Sequence, residues 1–489
     1  MKLSNLLTHI PFYTCHPSFT DVDIQGITMD SRNVKEGDLF VCIKGFTVDG
    51  HDYAHAAVER GATVIVSERP LHIDGVIVVV VPDTNKALAI FATVFYDHPS
   101  TKFSLVGITG TNGKTTTTYL IEEICKRHGQ KTGVIGTIQM KIGDEVFPIV
   151  NTTPDALTLQ RNFAKMADAE VDTTVMEVSS HALDLGRVYG TDFHIALFTN
   201  LSQDHLDYHK DMEDYLRAKT LLFTSLGNDY TKKRFAVVNN DDPHSSLLKK
   251  STSKPVVTYG LKTTADVQAK DVQTELTSTS FLLKTPVGEI NITSKLLGTF
   301  NVYNMLAAAS VALLLRIPLA TIKEALEDMD GVPGRFERVE AGQDFAVIVD
   351  YAHTPDSLEN VLQTIKKFAT KNVYVVVGSG GDRDRSKRPL MAKVALTYSD
   401  YAIFTSDNPR TEDPLAILND MTEGLTETTY EVIENRKEAI ERAVQLAKSG
   451  DVILIAGKGH ETYQEINGVR YDFDDRLVAK DVIIEKGKK

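Results

Sequence analysis

The chain has 489 residues, 42% hydrophobic and 24% charged, an ordinary composition for a globular protein of about three domains. Its formal net charge of −13 argues against a broad basic face for nucleic acid, so local Arg, Lys and helix N-termini must hold any anionic substrate. The cysteines Cys15, Cys42 and Cys125 lack zinc or disulfide spacing and suit a reducing compartment. No signal peptide and no apolar run of about 20 residues is visible, so we expect a soluble cytoplasmic protein without a membrane partner.

The pattern of predicted elements indicates three α/β domains. The first hundred residues mix strand-like runs such as "GDLFVCIKG" and "ATVIVSE" with helical patterns. After a Pro-Ser break in "YDHPSTKFS", strands alternate with helices in the βαβ manner that builds a parallel sheet. A second break, "EDMDGVPGRFERVE", precedes another alternating set. We expect domains over 1–100, 101–334 and 335–489.

Four strands of the third domain open directly into polar, glycine-containing sequence. Open α/β sheets bind ligands beyond the carboxyl ends of their strands, so these endings predict a ligand site. The four segments are "AVIVDYAHTPDS", "VYVVVGSGGDRD", "YAIFTSDNPRTEDP" and "DVILIAGKGHE".

The segment "GITGTNGKTTTT" has the parts of a phosphate-binding loop in an unusual spacing. The pattern G-x-x-x-x-G-K-[ST] needs glycine where this chain has Ile108, and glycines stand at Gly107 and Gly110 instead. A buried strand precedes the loop and an amphipathic helix follows it, so backbone N–H groups and the helix N-terminus are available to phosphate oxygens. In such a loop Lys114 supplies charge to the phosphates and the Thr115 hydroxyl binds Mg²⁺. The alternative is a Gly/Thr-rich turn.

Two further strand ends carry oxygen and nitrogen ligands for a metal. In "VMEVSSHAL" Glu177 ends a buried strand, and "TNLSQDHLDYH" ends another with Asp204, His205, Asp207 and His209. Mg²⁺ is usually held by a few carboxylates together with phosphates. The same polar density is also typical of a helix cap with solvated side chains, and both interpretations stay open at this point.

The motifs together resemble the Mur ligase family, whose members build the peptide stem of bacterial peptidoglycan. The resemblance spans all three predicted domains and is closest to the branch that adds the third residue to UDP-N-acetylmuramoyl-L-alanyl-D-glutamate. It identifies GTNGKT as the family's own phosphate loop. The motifs that carry it are "GTNGKTTTT", "NTTPDA", "MEVSSHAL", "NLSQDHLDYH", "GTFNVYN", "GRFERV", "DYAHTPDSL", "GSGGDRDRSKRPLM", "DNPRTEDP" and "AGKGHETYQ".

The resemblance implies a fold and a reaction. The expected fold is a small N-terminal UDP-binding domain, a central P-loop-type ATPase domain with a parallel sheet, and a C-terminal Rossmann-like domain. ATP phosphorylates the terminal D-glutamyl carboxylate, and the incoming amine then attacks the acyl phosphate. Such chemistry depends on positioning and on neutralising charge on the transferred phosphoryl group. ATP, the UDP-muramoyl dipeptide and an amino acid are the implied partners, and we expect a monomer.

The resemblance also implies the catalytic and ATP-binding residues. Thr115 and Glu177 serve one Mg²⁺, while Glu177, His205 and a carbamylated Lys219 serve a second. An ammonium has donors only and cannot bind a cation, whereas a carbamate supplies an oxygen ligand. The residue pattern alone indicates an ordinary exposed helical lysine at 219. The implied ATP-binding residues are Gly110, Thr111, Asn112, Gly113, Lys114, Thr115, Thr116, Asn301, Asn304, Arg335 and Asp350.

Two substrate sites follow from the same resemblance. The UDP-muramoyl peptide is expected at Met29, Ser31, Asn151, Thr152, Thr153, Ser179 and Arg187, with contacts around Phe46, Thr47 and Val48 left open. The implied diaminopimelate-binding residues are Arg388, Asp407, Asn408, Pro409, Arg410, Gly457 and Glu461.

Arg410 decides the expected amino acid. meso-Diaminopimelate differs from lysine by a second carboxylate, and a guanidinium pairs with such a group in bidentate fashion. Asp407 and Asn408 are then expected to receive the ammonium. The alternative is a Pro-fixed turn that only caps a helix.

Other functions remain alternatives on the sequence alone. A lysine-adding relative lacks the arginine of "DNPR", and a folylpolyglutamate synthase-like ligase is not expected to carry "DNPR" with "GKGHE". A plain P-loop kinase leaves the strand ends of the third domain without a role. The chain could also be a non-catalytic nucleotide-binding regulator. ATP turnover that depends on both cosubstrates would exclude that alternative. An oxidoreductase is disfavoured because "GSGGDRD" lacks G-x-G-x-x-G.

Overall fold

A computed structural model describes residues 1–16, 20–45, 48–275 and 277–487, which form the predicted α/β fold. Internal contacts divide the chain into two compact units, each treated separately below. The first unit comprises Met1–Gly107, Gln130–Ala196 and Leu221–Arg234, and the second comprises Ile108–Gly129, Leu197–Thr220 and Phe235–Lys489. The limits of the three predicted domains stay a prediction.

The N-terminal part of the first unit is a five-stranded sheet. Its order is β1-β5-β4-β3-β2, in which β1 is antiparallel to its neighbour and the other strands pair in parallel. Strand β4 is buried along its whole length because valine and isoleucine point to both faces. The strands are β1 (Thr14–His16), β2 (Gly26–Thr28), β3 (Asp38–Val41), β4 (Val64–Ser67) and β5 (Ile77–Val80); the helices are α1 (Leu3–Leu7), α2 (Ala54–Glu59) and α3 (Thr84–Phe95), with short 3-10 helices at Ser31–Asn33, Gly50–Tyr53 and Pro99–Thr101.

The rest of the first unit positions Glu177. Strand β10 pairs in parallel with β7, and β7, β8 and β9 form an antiparallel meander. Ser179 caps helix α6 through its side chain, which accepts a hydrogen bond from Ala182 N. The elements are β7 (Thr132–Ile135), β8 (Met140–Ile142), β9 (Glu145–Phe147), α5 (Ala156–Asp168), β10 (Thr173–Glu177) and α6 (Ser180–Asp184).

Three elements cross from one unit into the other along the chain. Strand β6 (Ser104–Thr109) begins in the first unit and ends in the second, directly before the glycine loop. The same holds for β11 (Ile195–Phe198), whereas helix α7 (Met212–Thr224) begins in the second unit.

In the second unit, strands β12, β13 and β14 pair in parallel and β15 and β16 extend them in antiparallel fashion. This antiparallel hairpin was not among our sequence predictions. Helix α4, which begins at Lys114, packs on α9 and α10. The elements are α4 (Lys114–Arg127), β12 (Phe235–Asn239), α8 (Ser245–Lys250), β13 (Val256–Gly260), β14 (Val267–Thr274), β15 (Thr279–Thr285), β16 (Gly288–Ser294), α9 (Thr299–Leu314) and α10 (Leu319–Asp328).

The C-terminal sheet of the second unit brings the four predicted strand ends to one edge. Its order is β17-β18-β22-β19-β20-β21, and every pair is parallel except β17 with β18. The predicted endings follow β18, β22, β19 and β20, which are consecutive. The strands are β17 (Glu337–Arg338), β18 (Ala346–Asp350), β19 (Val373–Val377), β20 (Tyr401–Phe404), β21 (Tyr430–Val432), β22 (Val452–Ala456), β23 (Tyr463–Ile466) and β24 (Val469–Asp472); the helices are α11 (Pro355–Phe368), α12 (Lys387–Tyr398), α13 (Pro414–Thr422), α14 (Arg436–Leu446) and α15 (Asp475–Gly487).

Two hydrophobic clusters cover the two faces of this sheet. Alternate residues of β22 belong to different clusters. Leu454 packs with α11, α12 and α13 on one face of the sheet, while Ile453 and Ile455 pack with α14 and α15 on the other. A parallel sheet covered by helices on both faces is the doubly wound arrangement, so the Rossmann-like prediction for this part is confirmed. In the described ranges, no helix is long and apolar enough to cross a membrane.

A fully buried ion pair ties α14 to α15 beneath the strand ends. Arg436 and Asp475 side chains are both 0% exposed, and the guanidinium donates to the carboxylate at 2.8 and 2.7 Å. Arg436 also donates to Ala456 O at 2.9 Å and to Ser406 O at 3.3 Å. These bonds satisfy backbone groups just before the loops that follow β22 and β20.

Removing one partner leaves a buried charge unpaired, which costs about 3–5 kcal/mol. We therefore expect Arg436→Ala to lower the free energy of opening of β22 by that amount, measured by native-state hydrogen exchange of peptides covering Val452–Ala456. The control is Arg442→Ala, whose guanidinium is 40% exposed and pairs with Glu431 on the surface. Equal protection in the two variants would contradict a structural role for the buried pair.

Candidate active site

The two glycines of the phosphate loop are required where they stand. Gly110 and Gly113 have φ of 147° and 87°, a region that favours glycine. A Cβ on Gly110 would overlap Thr199 Oγ1, and one on Gly113 would overlap Asn304 Oδ1. The next residues are held by Asn200, whose backbone O and side-chain Oδ1 accept from Thr111 N at 2.8 Å and Asn112 N at 2.9 Å. The displaced Gly110, like Gly113, therefore belongs to a built loop.

Two lysines meet at one backbone carbonyl of this loop. Lys114 Nζ and Lys219 Nζ each donate to Gly110 O at 2.9 Å, and Lys114 also donates to Thr111 O at 2.8 Å. Lys114 thus places a positive charge where phosphate oxygens are predicted to lie, and Lys219 Nζ is held against the same carbonyl oxygen. The site is therefore electrostatically suited to an anion.

Lys219 is buried, so the exposed position indicated by its residue pattern is wrong. It is 1% exposed and lies over the Tyr215 ring, with Nζ 4.3 Å from the centroid. Burial, together with the nearby charge of Lys114, holds the pKa of Lys219 well below its usual value. A neutral amine has the free electron pair that addition to CO₂ needs.

Asp204 collects side chains from the loop after β11 and from the C-terminal sheet. Its Oδ2 lies 3.4 Å from His205 Nε2 and 3.6 Å from His353 Nε2, and its Oδ1 lies 3.4 Å from Lys387 Nζ. Burial alone would raise the pKa of Asp204, but His205, Lys387 and His353 outweigh it and hold that pKa well below its usual value. The cluster therefore keeps a charged carboxylate beside His205, a predicted metal ligand.

Arg335 contacts the phosphate loop, which is the position expected of a residue that binds phosphate. Its Nη2 donates to Thr115 Oγ1 at 3.0 Å, and its guanidinium lies 4.3 Å from the centroid of the Tyr351 ring. Asp350 accepts from Phe336 N at 2.7 Å. Burial raises the pKa of Asp350, and the charge of Arg335 opposes this rise.

Asn301 and Asn304 lie at the start of α9 and pack against the phosphate loop. Both are buried, and Asn304 Nδ2 donates to Asn301 Oδ1 at 3.1 Å. Asn301 Nδ2 donates to Leu297 O at 2.8 Å, and Thr117 Oγ1 lies 3.4 Å from Asn304 Oδ1. Their predicted contact with adenine or ribose stays a prediction; Thr116, also predicted to bind ATP, is buried in the first turn of α4.

In the first unit, Glu177 is held by a threonine that the sequence analysis missed. Thr137 donates to Glu177 Oε1 from its backbone N and to Oε2 from its hydroxyl, both at 2.9 Å. A Cβ on Gly136 would lie 2.6 Å from Oε1, so glycine gives the carboxylate room. Thr137 Oγ1 also lies 3.2 Å from Thr152 Oγ1.

Three predicted substrate residues of the first unit, Thr153, Ser179 and Arg187, are linked by hydrogen bonds at the end of β10. Thr153 Oγ1 donates to Glu177 O at 2.9 Å and accepts from Ser179 N at 3.0 Å, while Arg187 Nη1 donates to Thr153 O at 3.0 Å. Asn151, also predicted to bind this substrate, is exposed.

The remaining predicted contacts of the UDP substrate lie in the N-terminal sheet. Met29 packs on its hydrophobic core, and Ser31 begins the 3-10 helix Ser31–Asn33. Phe46 and Thr47 lie outside the described residues, and the neighbouring Val48 is exposed.

The metal prediction depends on a modified lysine. Of the predicted ligands, Thr115, His205 and Lys219 belong to the second unit and Glu177 to the first. Within the described ranges, no group of three or more His, Cys, Asp or Glu side chains is arranged for a metal. The donor set therefore fits Mg²⁺ only if Lys219 carries a carbamate and the substrates supply further oxygens.

The end of β20 faces the end of β22 at a very close approach. Gly457 has φ of 114°, and a Cβ there would overlap Asp407 Oδ2. Asp407 is buried and its Oδ1 accepts from Asn408 N at 2.7 Å. Burial alone would raise the pKa of Asp407, but Lys458, Arg436 and Arg410 outweigh it and lower that pKa. Asp407 is thus a buried anion that can pair with an ammonium.

Arg410 and Arg383, near this site, are open to a ligand. Arg410, at φ of 53°, donates to Gly381 O at 2.6 Å and stays partly exposed. The side chains of Arg410 and Arg383 both lie close to Gly380: a Cβ placed on that glycine would lie 2.9 Å from Arg410 Nη1 and 3.8 Å from Arg383 Cγ. Arg383 is exposed. Arg388, by contrast, is 0% exposed and donates to Glu412 and Asp420 at 2.7 Å each. Its predicted contact with diaminopimelate stays a prediction, but its charge is already satisfied by two carboxylates.

Asn408 is bonded differently from our expectation. Its Oδ1 accepts from Lys458 Nζ at 3.0 Å and from Glu465 N at 2.9 Å, so both acceptor positions are used and it cannot also receive an ammonium. Its Nδ2 donates to Glu461 Oε2 at 2.8 Å, and Lys458 donates to the same oxygen at 3.0 Å. The adjacent Pro409 is buried, and its carbonyl oxygen packs against Gly381.

The residues that sequence reasoning missed are Thr137, Arg383, Lys387 and Lys458. Arg383, Lys387 and Lys458 stand in segments already singled out, "GSGGDRDRSKRPLM" and "AGKGHE", and charge in these segments was a usable signal. For Thr137 the sequence carries no comparable signal.

Family models match the chain in three consecutive segments. The model described as Mur ligase family, catalytic domain, matches residues 23–99; that of the Mur ligase middle domain matches 108–312; and that of the Mur ligase, glutamate ligase domain, matches 334–459.

Full-length relatives agree with these matches. The chain is 57% identical over 493 residues to UDP-N-acetylmuramoyl-L-alanyl-D-glutamate--2,6-diaminopimelate ligase of Oceanobacillus iheyensis, covering 100% of both chains. It is 52% identical to the enzyme of that name from Listeria innocua, covering 99% of each. A solved structure with the same name is 36% identical, has a TM-score of 0.68 and is matched over 96% of this chain and 98% of its own. The chain belongs to the Mur ligase family.

Proposed function

We propose that this chain joins UDP-N-acetylmuramoyl-L-alanyl-D-glutamate to meso-diaminopimelate at the expense of ATP, a step of peptidoglycan synthesis. The observation that carries the proposal is the cluster beyond β20 and β22, where the charge of Arg410 acts on Asp407 and where Asn408 donates to Glu461. Such a cluster is complementary to an amino acid that ends in both an ammonium and a carboxylate. Relatives at least 52% identical over 99% of the chain carry this activity in their names.

The phosphate loop supplies the ATP half of the reaction. The loop amides, the start of α4 and Lys114 hold the phosphates, and Arg335 adds a cation at Thr115. The D-glutamyl carboxylate attacks the γ-phosphorus and gives an acyl phosphate and ADP. The diaminopimelate amine then attacks the carbonyl carbon, and the tetrahedral intermediate collapses with loss of phosphate and a proton.

Thr115, Glu177, His205 and the Lys219 carbamate would hold Mg²⁺, which neutralises charge on the transferred phosphoryl group. Burial of Lys219 against Gly110 supports the modification, because burial and the nearby charge of Lys114 disfavour the ammonium form, and the neutral amine can add to CO₂. The UDP-muramoyl dipeptide would bind to Met29, Ser31, Asn151, Thr152, Thr153, Ser179 and Arg187 in the first unit.

The second carboxylate of diaminopimelate would pair with Arg410, and Arg383 would add a second cation beside it. Arg388 would act indirectly, since its pairs with Glu412 and Asp420 hold together α12, α13 and the loop that leads to α13.

Phosphate release with ATP, Mg²⁺ and the UDP-muramoyl dipeptide tests the reaction, with meso-diaminopimelate or L-lysine supplied in parallel. We expect a strong preference for diaminopimelate that falls about 10- to 100-fold in Arg410→Lys, because an ammonium cannot replace a bidentate guanidinium. The control is Arg385→Lys, an exposed arginine paired with Asp420. Preference of the unaltered protein for lysine would overturn the assignment of Arg410, and phosphate release with neither would overturn the reaction.

Carbamylation is tested at Lys219. We expect Lys219→Ala and Lys219→Arg to lose at least about 100-fold in kcat, since neither residue supplies an oxygen to the metal. The unaltered protein should lose activity in CO₂-depleted buffer and regain it with bicarbonate. The control is Lys232→Ala, a lysine that is 52% exposed. Full activity of Lys219→Arg would rule out a carbamate as a required ligand.

A pair of glycine substitutions tests the phosphate loop. Gly113→Ala should raise the KM for ATP at least about tenfold, because its Cβ overlaps Asn304 Oδ1 in the loop. Gly129→Ala is the matched control: its φ is 84°, close to 87° at Gly113, but a Cβ there meets nothing within 4 Å. An equal change in the two variants would mean that backbone strain alone, and not the loop contact, affects ATP.

A further inference from the structure

Lys458 is a buried cation next to the proposed amino-acid site that our sequence predictions did not use. It lies two residues after β22, and its side chain is 0% exposed. Burying an ammonium is costly unless its hydrogen bonds and charge are compensated. The compensation comes from Asn408 and Glu461, both among the residues predicted to bind the substrate.

The three side chains form a closed triangle. Lys458 Nζ donates to Asn408 Oδ1 and to Glu461 Oε2, both at 3.0 Å, and Asn408 Nδ2 donates to the same Glu461 oxygen at 2.8 Å. The Tyr463 ring lies 5.5 Å from Lys458 Nζ. Each member of the triangle therefore fixes the other two.

The triangle determines which way the Asn408 amide points. An ammonium only donates, so the oxygen of the amide has to face Lys458, and Glu465 N donates to that oxygen at 2.9 Å. The amide nitrogen must then face Glu461, with one N–H used there and its second N–H left for a ligand. A flipped amide would set two donors against each other at Lys458.

We propose that Lys458 is a positioning residue that assigns donor and acceptor roles for the amino-acid substrate. Asn408 offers an N–H to the second carboxylate of the diamino acid, while Glu461 Oε1 and Asp407 Oδ2 receive its ammonium. These two oxygens accept no hydrogen bond from the part of the chain that the structure describes. The proposal rests on the proposed function, since it concerns selectivity at that site.

Lys458→Met tests this role, because methionine has a similar length and no charge. The amide of Asn408 is then free to flip, and Glu461 loses its cation. We expect the KM for meso-diaminopimelate to rise about tenfold or more and its preference over L-lysine to fall, with the KM values for ATP and the UDP-muramoyl dipeptide unchanged. The control is Lys437→Met, a surface lysine of α14 that is 59% exposed.

Combined substitutions separate positioning from a general loss of structure. If Lys458 acts through Asn408 and Glu461, Lys458→Met should add little to the KM of a variant that carries both Asn408→Ala and Glu461→Ala, whereas independent effects multiply. Multiplied effects, or an unchanged KM in the single Lys458→Met variant, would overturn the proposal.

Asn408→Asp keeps the test open if Lys458→Met does not fold. The new carboxylate retains an oxygen for Lys458 but has no N–H, so we expect a folded protein that loses its preference for diaminopimelate. Retained preference would overturn the proposal. Failure of the unaltered protein to use diaminopimelate would instead overturn the proposed function, so the two failures are distinguishable.

Discussion

The Gly110 carbonyl, which accepts hydrogen bonds from two lysines, is the contact on which the phosphate loop depends. Lys114 and Lys219 both donate to that oxygen, and Arg335 approaches through Thr115. Lys114 and Arg335 bring two cations to one glycine loop, and anions that enter the loop stabilise this arrangement. The glycines at 110 and 113 make the approach possible, because a side chain at either position would overlap its neighbours.

The proposed amino-acid site also contains cations, but there the protein itself supplies the opposite charges. There the buried cations Lys458 and Arg436 are matched within the protein by Glu461, Asp407 and Asp475. The cations of this site are therefore compensated without a ligand, and its polar groups are already oriented. Preorganised groups discriminate well, because a substrate that lacks one partner leaves a buried polar atom unpaired.

Much of the fold follows from local sequence pattern, and the reason is visible in the C-terminal sheet. Strands such as β22 are buried on both faces, so they read as unbroken Val/Ile runs that end abruptly in glycine and polar residues. The antiparallel strands β15 and β16 lack such a run: their burial alternates and many side chains are exposed. That is why the parallel core was predicted and the hairpin was not.

Side-chain roles were harder to predict, since they depend on which partner arrives from a distant segment. The residue pattern of α7 indicates an exposed lysine at 219, yet β6 and its glycine loop bury it. Arg388 stands in a recognisable motif, but Glu412 and Asp420 from the region around α13 satisfy its charge. Asn408 was expected to accept a hydrogen bond from the ammonium, and only the position of Lys458 shows that its amide oxygen is already used.

The two halves of the chemistry are joined by backbone contact between two glycines. Gly334, which precedes Arg335, packs so closely that a Cβ there would overlap His460 N, and a Cβ on Gly459 would lie 2.6 Å from Gly334 O. Arg335 contacts the phosphate loop, whereas Gly459 directly follows Lys458 in the amino-acid loop. Packed backbone does not yield by small amounts, so any displacement of Arg335 would move the 457–461 loop as well. The Lys458 triangle then makes that movement a rigid one, because Asn408 and Glu461 travel with the same ammonium.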